Sequence, residues 1–268
     1  MHLHFISGLP RSGSTLLAAI LRQNPRFHAA MSGPMAGLVD GCLELMSGRN
    51  EFSVFIKNEQ RQRMLAGLFE GYYRENAGQV IFDTNRAWCA KMDLIAALFP
   101  KAKVVACVRH VPWILDSVER YARKNCLQPS MMFEYKSGGT VYMHINALTS
   151  PTGLFGYAYD ALRQAVYGCN GARLLIVQYE SLSADPQKTM DSIYAFLEER
   201  PFVHDFTDIQ YDAPEYDGKV GAPGLHTVRR ELRAEDRATI LPADLFKRFA
   251  NHSFWRNPHM FPAGVRVV

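Results

Sequence analysis

Residues 7–21, SGLPRSGSTLLAAIL, constrain the fold more than any other part of the chain. A short apolar run at 3–7 enters a turn with glycines at 8 and 13, and the turn opens into TLLAAIL, a stretch of mostly good helix formers. A buried strand, a tight glycine turn and a helix in immediate succession begin a βαβ unit. Successive backbone N–H groups of such a turn face a common centre, where the positive end of the helix adds its partial charge. An anion site follows whatever the side chains are.

The spacing is that of the phosphate loop G-x-x-x-x-G-K-[ST], with Gly8, Gly13 and Thr15 in register but Ser14 where the lysine belongs. That lysine normally reaches the outer phosphates of a nucleoside triphosphate, beside a magnesium ion held by the final hydroxyl. Its absence argues against triphosphate chemistry. Arg11, inside the loop, supplies instead a planar, permanently charged fork suited to one phosphate group and its bridging oxygen, without a metal.

Further short apolar runs at 27–31, 80–83, 103–108 and 173–179 alternate with stretches of helical period at 34–47, 59–76, 88–99, 111–124, 154–167, 185–199 and 233–250. This alternation predicts an α/β chain: a P-loop-type three-layer fold with a central parallel sheet of about five strands flanked by helices. With 48% hydrophobic and 21% charged residues, the 268 residues suffice for one core, and 1–268 reads as a single domain. Asp185 and Pro186 form a cap and first helical position. Residues 126–153 and 200–230, rich in Gly, Pro and aromatics, have no sustained period and read as binding loops.

The net charge of +4 suits an anionic ligand but forms no concentrated basic stripe, so a nucleic-acid partner is not expected. Five scattered cysteines, none in a C-x-x-C pair, suggest neither a disulfide framework nor a zinc site. No charged leader or long apolar segment is seen, and a cytoplasmic protein without a membrane partner is the expectation.

GLPRSGSTLL resembles the 5′-phosphosulfate loop of sulfotransferases that use 3′-phosphoadenosine 5′-phosphosulfate (PAPS), in the P-R-S-G-[ST]-T form of tyrosylprotein sulfotransferases and related bacterial enzymes. The resemblance implies that Pro10, Arg11, Ser12, Gly13, Ser14 and Thr15 grip the 5′-phosphosulfate. In VVACVRHVPWILDSVERYAR, Arg109 ends an apolar strand and Ser117 follows eight residues later, the spacing of the family's 3′-phosphate motif, with Arg120 or Arg123 as further contacts. LLIVQYESLSADP is similar to the family's strand ending in a tyrosine, which implies that Tyr179 lies against the adenine or its phosphate. GKVGAPGLHTVRR resembles the basic loop that closes over the nucleotide, with Lys219, His226 and Arg229 as its phosphate contacts. The implied reaction moves a sulfuryl group from PAPS to a hydroxyl or amine of a small-molecule or peptide acceptor. PAP is left and no metal is required; a homodimer is an allowed assembly.

The resemblance fails at the base. The tyrosylprotein enzymes carry a glutamate about twenty residues after the loop arginine, where this chain reads AAMSGPMAG. Cytosolic small-molecule enzymes have a lysine and a histidine after the next strand, where this chain has VIFDTNRAWC. By position Asp83 is the candidate base and Arg86 the substitute for the lysine on the bridging oxygen, making Arg11, Asp83 and Arg86 the catalytic set. His110, His144 and His226 are the alternative bases, and Asp83 also reads as a magnesium-binding strand end or a helix cap. The Met, Phe and Tyr residues of 131–159 either line an acceptor pocket or pack a loop and helix onto the core. Two rival functions stay open: a metal-dependent P-loop kinase or NTPase, and a non-catalytic PAPS- or nucleotide-binding protein.

Overall fold

The structure is a computed structural model that describes residues 1–127, 132, 139–232, 237–262 and 264–268. Its strands are β1 (His2–Gly8), β2 (Phe27–Ala29), β3 (Val80–Thr84), β4 (Val104–Val108), β5 (Leu174–Gln178) and β6 (Arg266–Val267). They form one sheet in the order β2-β3-β1-β4-β5-β6, with every pair parallel. The sheet has six strands where five were expected: the last is only two residues long, too short to carry a period. It is held by Val268 N–H to Ile176 O and Gln178 N–H to Val268 O, both 2.9 Å.

The apolar runs are continuous because both faces of the sheet are covered. In β4, Val104, Ala106 and Val108 join one core, while Val105 and Cys107 join the other. The first core is roofed by α2 (Met35–Leu45), α3 (Asn58–Tyr72), α4 (Met92–Leu98), α5 (Val111–Lys124), α6 (Val141–Thr149), α7 (Leu154–Tyr167) and α11 (Ala243–Ala250). The second is covered by α1 (Ser14–Leu21), α8 (Tyr179–Ala184) and α9 (Pro186–Leu197). The three-layer expectation holds. The Asp185 side chain accepts from Lys188 N–H, and Pro186 opens α9, as its sequence predicted.

Two helices lie in stretches that read as loops. Thr140 caps α6 by accepting from Met143 N–H, and α10 (Pro214–Lys219) starts on a proline. Conversely, the helix expected over 233–250 is confined to α11: residues 237–242 are not helical, Pro242 precedes the first turn, and 233–236 lie outside the described residues. No helix among the described residues is long and apolar enough to cross a membrane.

Chain order places the site. Strand β1 leads towards β2 on one side of the sheet, and its neighbour β4 leads towards β5 on the other. A crevice opens between such strands at their carboxyl ends, where an open α/β sheet receives its ligands. The turns carrying Arg11 and Arg109 flank that crevice.

Candidate active site

The turn between β1 and α1 is pressed against β4 and leaves no room for a side chain at its first glycine. Gly8 has φ 108°, and a Cβ there would meet the Cys107 carbonyl oxygen at 2.1 Å. Gly13, at φ 92°, sits under the Tyr179 ring, whose Cδ2 would be 2.8 Å from an added Cβ. Arg11 itself is left-handed, φ 57°, a conformation that costs a side-chain-bearing residue of order 1 kcal/mol. Ser12 departs from its expected role: its hydroxyl is buried and faces the Leu9 and Cys107 carbonyls at 2.5 and 2.8 Å, so it holds the turn to β4 rather than pointing at a ligand.

Pro10, Arg11, Ser14 and Thr15 line a cleft together with Ser32, Thr84, Asn85, Arg86, Leu154, Tyr216, Val220, Leu225 and His226. Arg11 spans it. Its Nε donates to Ser117 Oγ at 3.3 Å and its Nη1 to the Leu225 carbonyl at 2.6 Å. Burial, and then the charge of Arg109, hold its pKa below the ordinary arginine value. Arg109 stacks over the Tyr179 ring, 4.3 Å from its centroid, and that same ring covers Gly13. Arg11, Gly13, Arg109, Ser117 and Tyr179 are therefore one contiguous group, assembled from the ends of β1, β4 and β5 and the start of α5. Two neighbouring guanidinium groups, one of them desolvated and bonded to neutral oxygens, form a locus that favours an anion of more than one charge.

Arg86 follows β3 and reaches the cleft. Its segment is tied down by Ser7 Oγ, which donates to the Arg86 carbonyl at 3.0 Å and accepts from Cys89 N–H at 3.2 Å. Burial lowers its pKa, opposed by Tyr216 and Tyr157, and among the described residues no carboxylate pairs with it. Lys219 and Arg229, by contrast, are exposed and are not among the residues that line the cleft. Arg120 and Arg123 are engaged by Asp116 and Glu119 of their own helix.

Asp83 is a correction. It is fully buried and takes Tyr73 O–H at 2.5 Å and Trp88 Nε1–H at 2.7 Å, one on each oxygen. Burial raises its pKa despite those two bonds. Among the cleft-lining residues are its neighbours Thr84, Asn85 and Arg86, but not Asp83. The helix-cap reading of Asp83 passes to Asn85, which accepts from Ala87 N–H at 3.0 Å. Of the alternative bases, His110 bonds the Ala250 carbonyl at 3.2 Å and His144 faces Glu119 at 2.9 Å. Only His226 of these three lines the cleft. Its partner Asp217 escaped the sequence reading because eight residues of Gly- and Pro-rich chain separate the two without a period.

Asp83→Asn is thus expected to leave turnover within about threefold of wild type. The stability difference carries a sign. A carboxyl raised above the ordinary 3.8 holds its proton more tightly when folded than when unfolded. Wild type therefore loses stability relative to the Asn variant as pH rises from that value through the raised one, by at most about 1.4 kcal/mol per pH unit. Urea denaturation of both proteins between pH 4 and 9 measures it; a wild-type advantage over the Asn variant that grew with pH would contradict the burial argument.

Of the aromatic and Met residues read as acceptor lining, Met132 faces the cleft. Tyr157 is near enough to act on Arg86, Phe155 is buried in the core, Tyr159 bonds the His252 carbonyl, and Tyr142 and Met143 are exposed. Met131, Phe133 and Tyr135 lie outside the described residues. A group of His2, His4 and Glu199 has three ligand-type atoms within 4.8 Å of one another, at the opposite end of β1 from the cleft. There His4 Nδ1 accepts from Lys103 N–H at 3.2 Å.

A profile described as the sulfotransferase family matches residues 4–203. The sulfotransferase domain from the curacin biosynthetic pathway superposes with a TM-score of 0.58 at 14% identity, covering 93% of this chain and 96% of that domain. Mouse sulfotransferase SULT7A1, solved in complex with PAP, superposes with a TM-score of 0.52 at 14% identity, covering 97% of this chain and 88% of its own. At such identity the two likenesses speak to the fold. Among proteins of curated function, none matches the chain in sequence.

Proposed function

The chain belongs to the sulfotransferase family, and from that premise we propose that it transfers a sulfuryl group from PAPS to the hydroxyl or amine of a small-molecule or peptide acceptor, leaving PAP. The observation that carries the donor assignment is the convergence of Arg11 and Arg109 beside Tyr179, at the carboxyl ends of β1 and β4. One bisphosphorylated adenosine nucleotide satisfies both cations at once. The PAP bound by the mouse relative is consistent with this.

In this reading the turn amides around residues 13–15 and the amino end of α1 hold the 5′-phosphosulfate, and Arg109 with Ser117 holds the 3′-phosphate. Sulfuryl transfer places negative charge on the bridging oxygen as its bond to sulfur breaks. Arg11 and Arg86, fixed beforehand in a partly closed cleft, stabilise that charge more than they would in open water. The kinase or NTPase alternative loses its acid, since both oxygens of Asp83 are already engaged inside the core. The reading takes 1–268 as one domain acting in the cytoplasm, where the free thiols of Cys42, Cys89, Cys107, Cys126 and Cys169 stay reduced.

Calorimetry with PAP and ATP, each with and without magnesium, tests it. PAP is expected to bind tightly without the metal and ATP weakly in either condition. Arg109→Ala should weaken PAP by about 1.5–3 kcal/mol, the usual cost of a charged hydrogen bond. Magnesium-dependent ATP binding in preference to PAP would overturn the donor assignment.

A further inference from the structure

Helix α10 and the turn behind it deliver an aspartate and a histidine to the cleft together. Asp217 is completely buried. One of its oxygens accepts the His226 backbone N–H at 2.9 Å, and the other faces ring Nδ1 at 2.5 Å. A buried carboxylate at that distance selects the tautomer: Nδ1 keeps its proton and donates, so Nε2 is left with its lone pair. Tyr216 meets the ring edge-on at 5.5 Å. The imidazole is not sealed away, since 16% of its side chain is exposed and it lines the same cleft as Ser14, Thr15 and Arg86.

The loop is also tied to the donor site. Leu225, next to the histidine, gives its carbonyl to Arg11. Tyr121 of α5 donates its hydroxyl to the Pro223 carbonyl at 3.2 Å. The histidine is therefore held relative to the phosphosulfate turn by two bonds from outside its own loop, in addition to the carboxylate.

Resting on the sulfotransferase reading above, we infer that His226 is the general base that deprotonates the acceptor, and that Asp217 is its positioning residue. In the step, the acceptor oxygen forms its bond to sulfur while its O–H bond breaks and the proton passes to Nε2. The bond between sulfur and the bridging oxygen breaks, and its electron pair leaves with that oxygen on the 5′-phosphate of PAP. The Asp217 carboxylate offsets the charge of the imidazolium until water takes the proton and restores the base.

The charged and aromatic groups gathered at this end of the cleft come from several elements: Asp217 and Tyr216 belong to α10, while Arg11, in the turn after β1, and Arg86, in the segment after β3, line the same cleft as the histidine.

The test uses the full chain and labelled PAPS, with phenol, and separately water, as the acceptor probe. PAP affinity is measured on every protein. His226→Gln should slow sulfuryl release from PAPS by about 10²-fold or more, with PAP affinity within about threefold of wild type. Wild-type log kcat should show an acid limb of unit slope that the Gln variant lacks. Asp217→Asn should lower kcat about tenfold while leaving the acceptor KM and PAP affinity within about threefold of wild type. Added imidazole should restore part of the rate to His226→Ala, which a purely structural histidine would not allow. Retention of the acid limb and of the rate within about threefold in His226→Gln overturns the inference. So does a loss of PAP affinity matching the loss of rate. Failure of the wild-type protein to bind PAP would overturn the donor assignment instead, and the two failures are distinct.

Discussion

Arg11→Ala is expected to lower kcat for sulfuryl transfer by about 10³-fold, the range seen when a preorganised cation or donor at a developing oxyanion is removed. The expectation follows from what the guanidinium holds. It joins three elements of the site by bonds to Ser117 on α5 and to Leu225 beside His226, while its backbone belongs to the phosphate turn. A lysine keeps the charge but offers one ammonium where the fork makes two divergent bonds, so Arg11→Lys should recover little of the rate. Folding should respond differently. Arg11 is desolvated and lies near the like charge of Arg109, so its removal relieves those costs as well as breaking bonds. Its melting temperature should lie within a few degrees of wild type while the rate collapses. Steady-state kinetics with labelled PAPS and a thermal melt on the same sample decide it. A rate within tenfold of wild type would remove Arg11 from the chemistry.

What could be read from the sequence, and what could not, follows the range of the forces involved. The five longer strands announce themselves because both faces are buried and the apolar runs are therefore unbroken, as in VVACV at β4. The phosphate turn is legible because its glycines answer local demands: φ beyond the reach of other residues at 8 and 13, and contact with Cys107 and Tyr179. Asp83 was misread for the complementary reason. Which way the fourth residue of β3 points, and whether it meets solvent, depends on Tyr73 ten residues before it and Trp88 five after, on two different elements. No pattern within the strand encodes that. The pairing of His226 with Asp217 is hidden likewise, because a one-and-a-half-turn helix and a glycine-rich turn bring the two together without repeating any period. Lys219 and Arg229 were named for their charge and position in a basic loop; both are exposed and neither is among the residues lining the cleft.

The conformational argument for the turn has a consequence of its own in Gly8→Ala, expected to destabilise the protein by about 4 kcal/mol or more. Two costs add. At φ 108° an L-residue is strained by about 1–3 kcal/mol wherever it stands. Here the new methyl also lands 2.1 Å from the Cys107 carbonyl oxygen and 2.5 Å from its nitrogen, and these are backbone atoms, with no rotamer to move away. Relief requires β1 and β4 to separate at the end of their ladder, where Gly8 pairs with Cys107 and Leu9 N–H reaches the same carbonyl at 2.9 Å. Those strands lie at the middle of the sheet, with Ile6, Val105 and Val108 fully buried, so separation opens voids in both cores. A loss of that size is a large share of the roughly 5–15 kcal/mol that holds a typical domain folded. The variant should melt about 10 °C or more below wild type, at roughly 2–4 °C per kcal/mol for a chain near this length, or accumulate as insoluble protein. Gly37→Ala in α2 is the control. A Cβ there meets nothing within 4 Å, and alanine in a helix interior should stabilise by about 0.5–1 kcal/mol. Urea denaturation of both variants, with expression and solubility compared, measures the contrast. A Gly8→Ala protein within about 1 kcal/mol of wild type would mean that the turn is looser than its contacts with β4 require, and the amide cradle for the 5′-phosphosulfate would lose its rigid support.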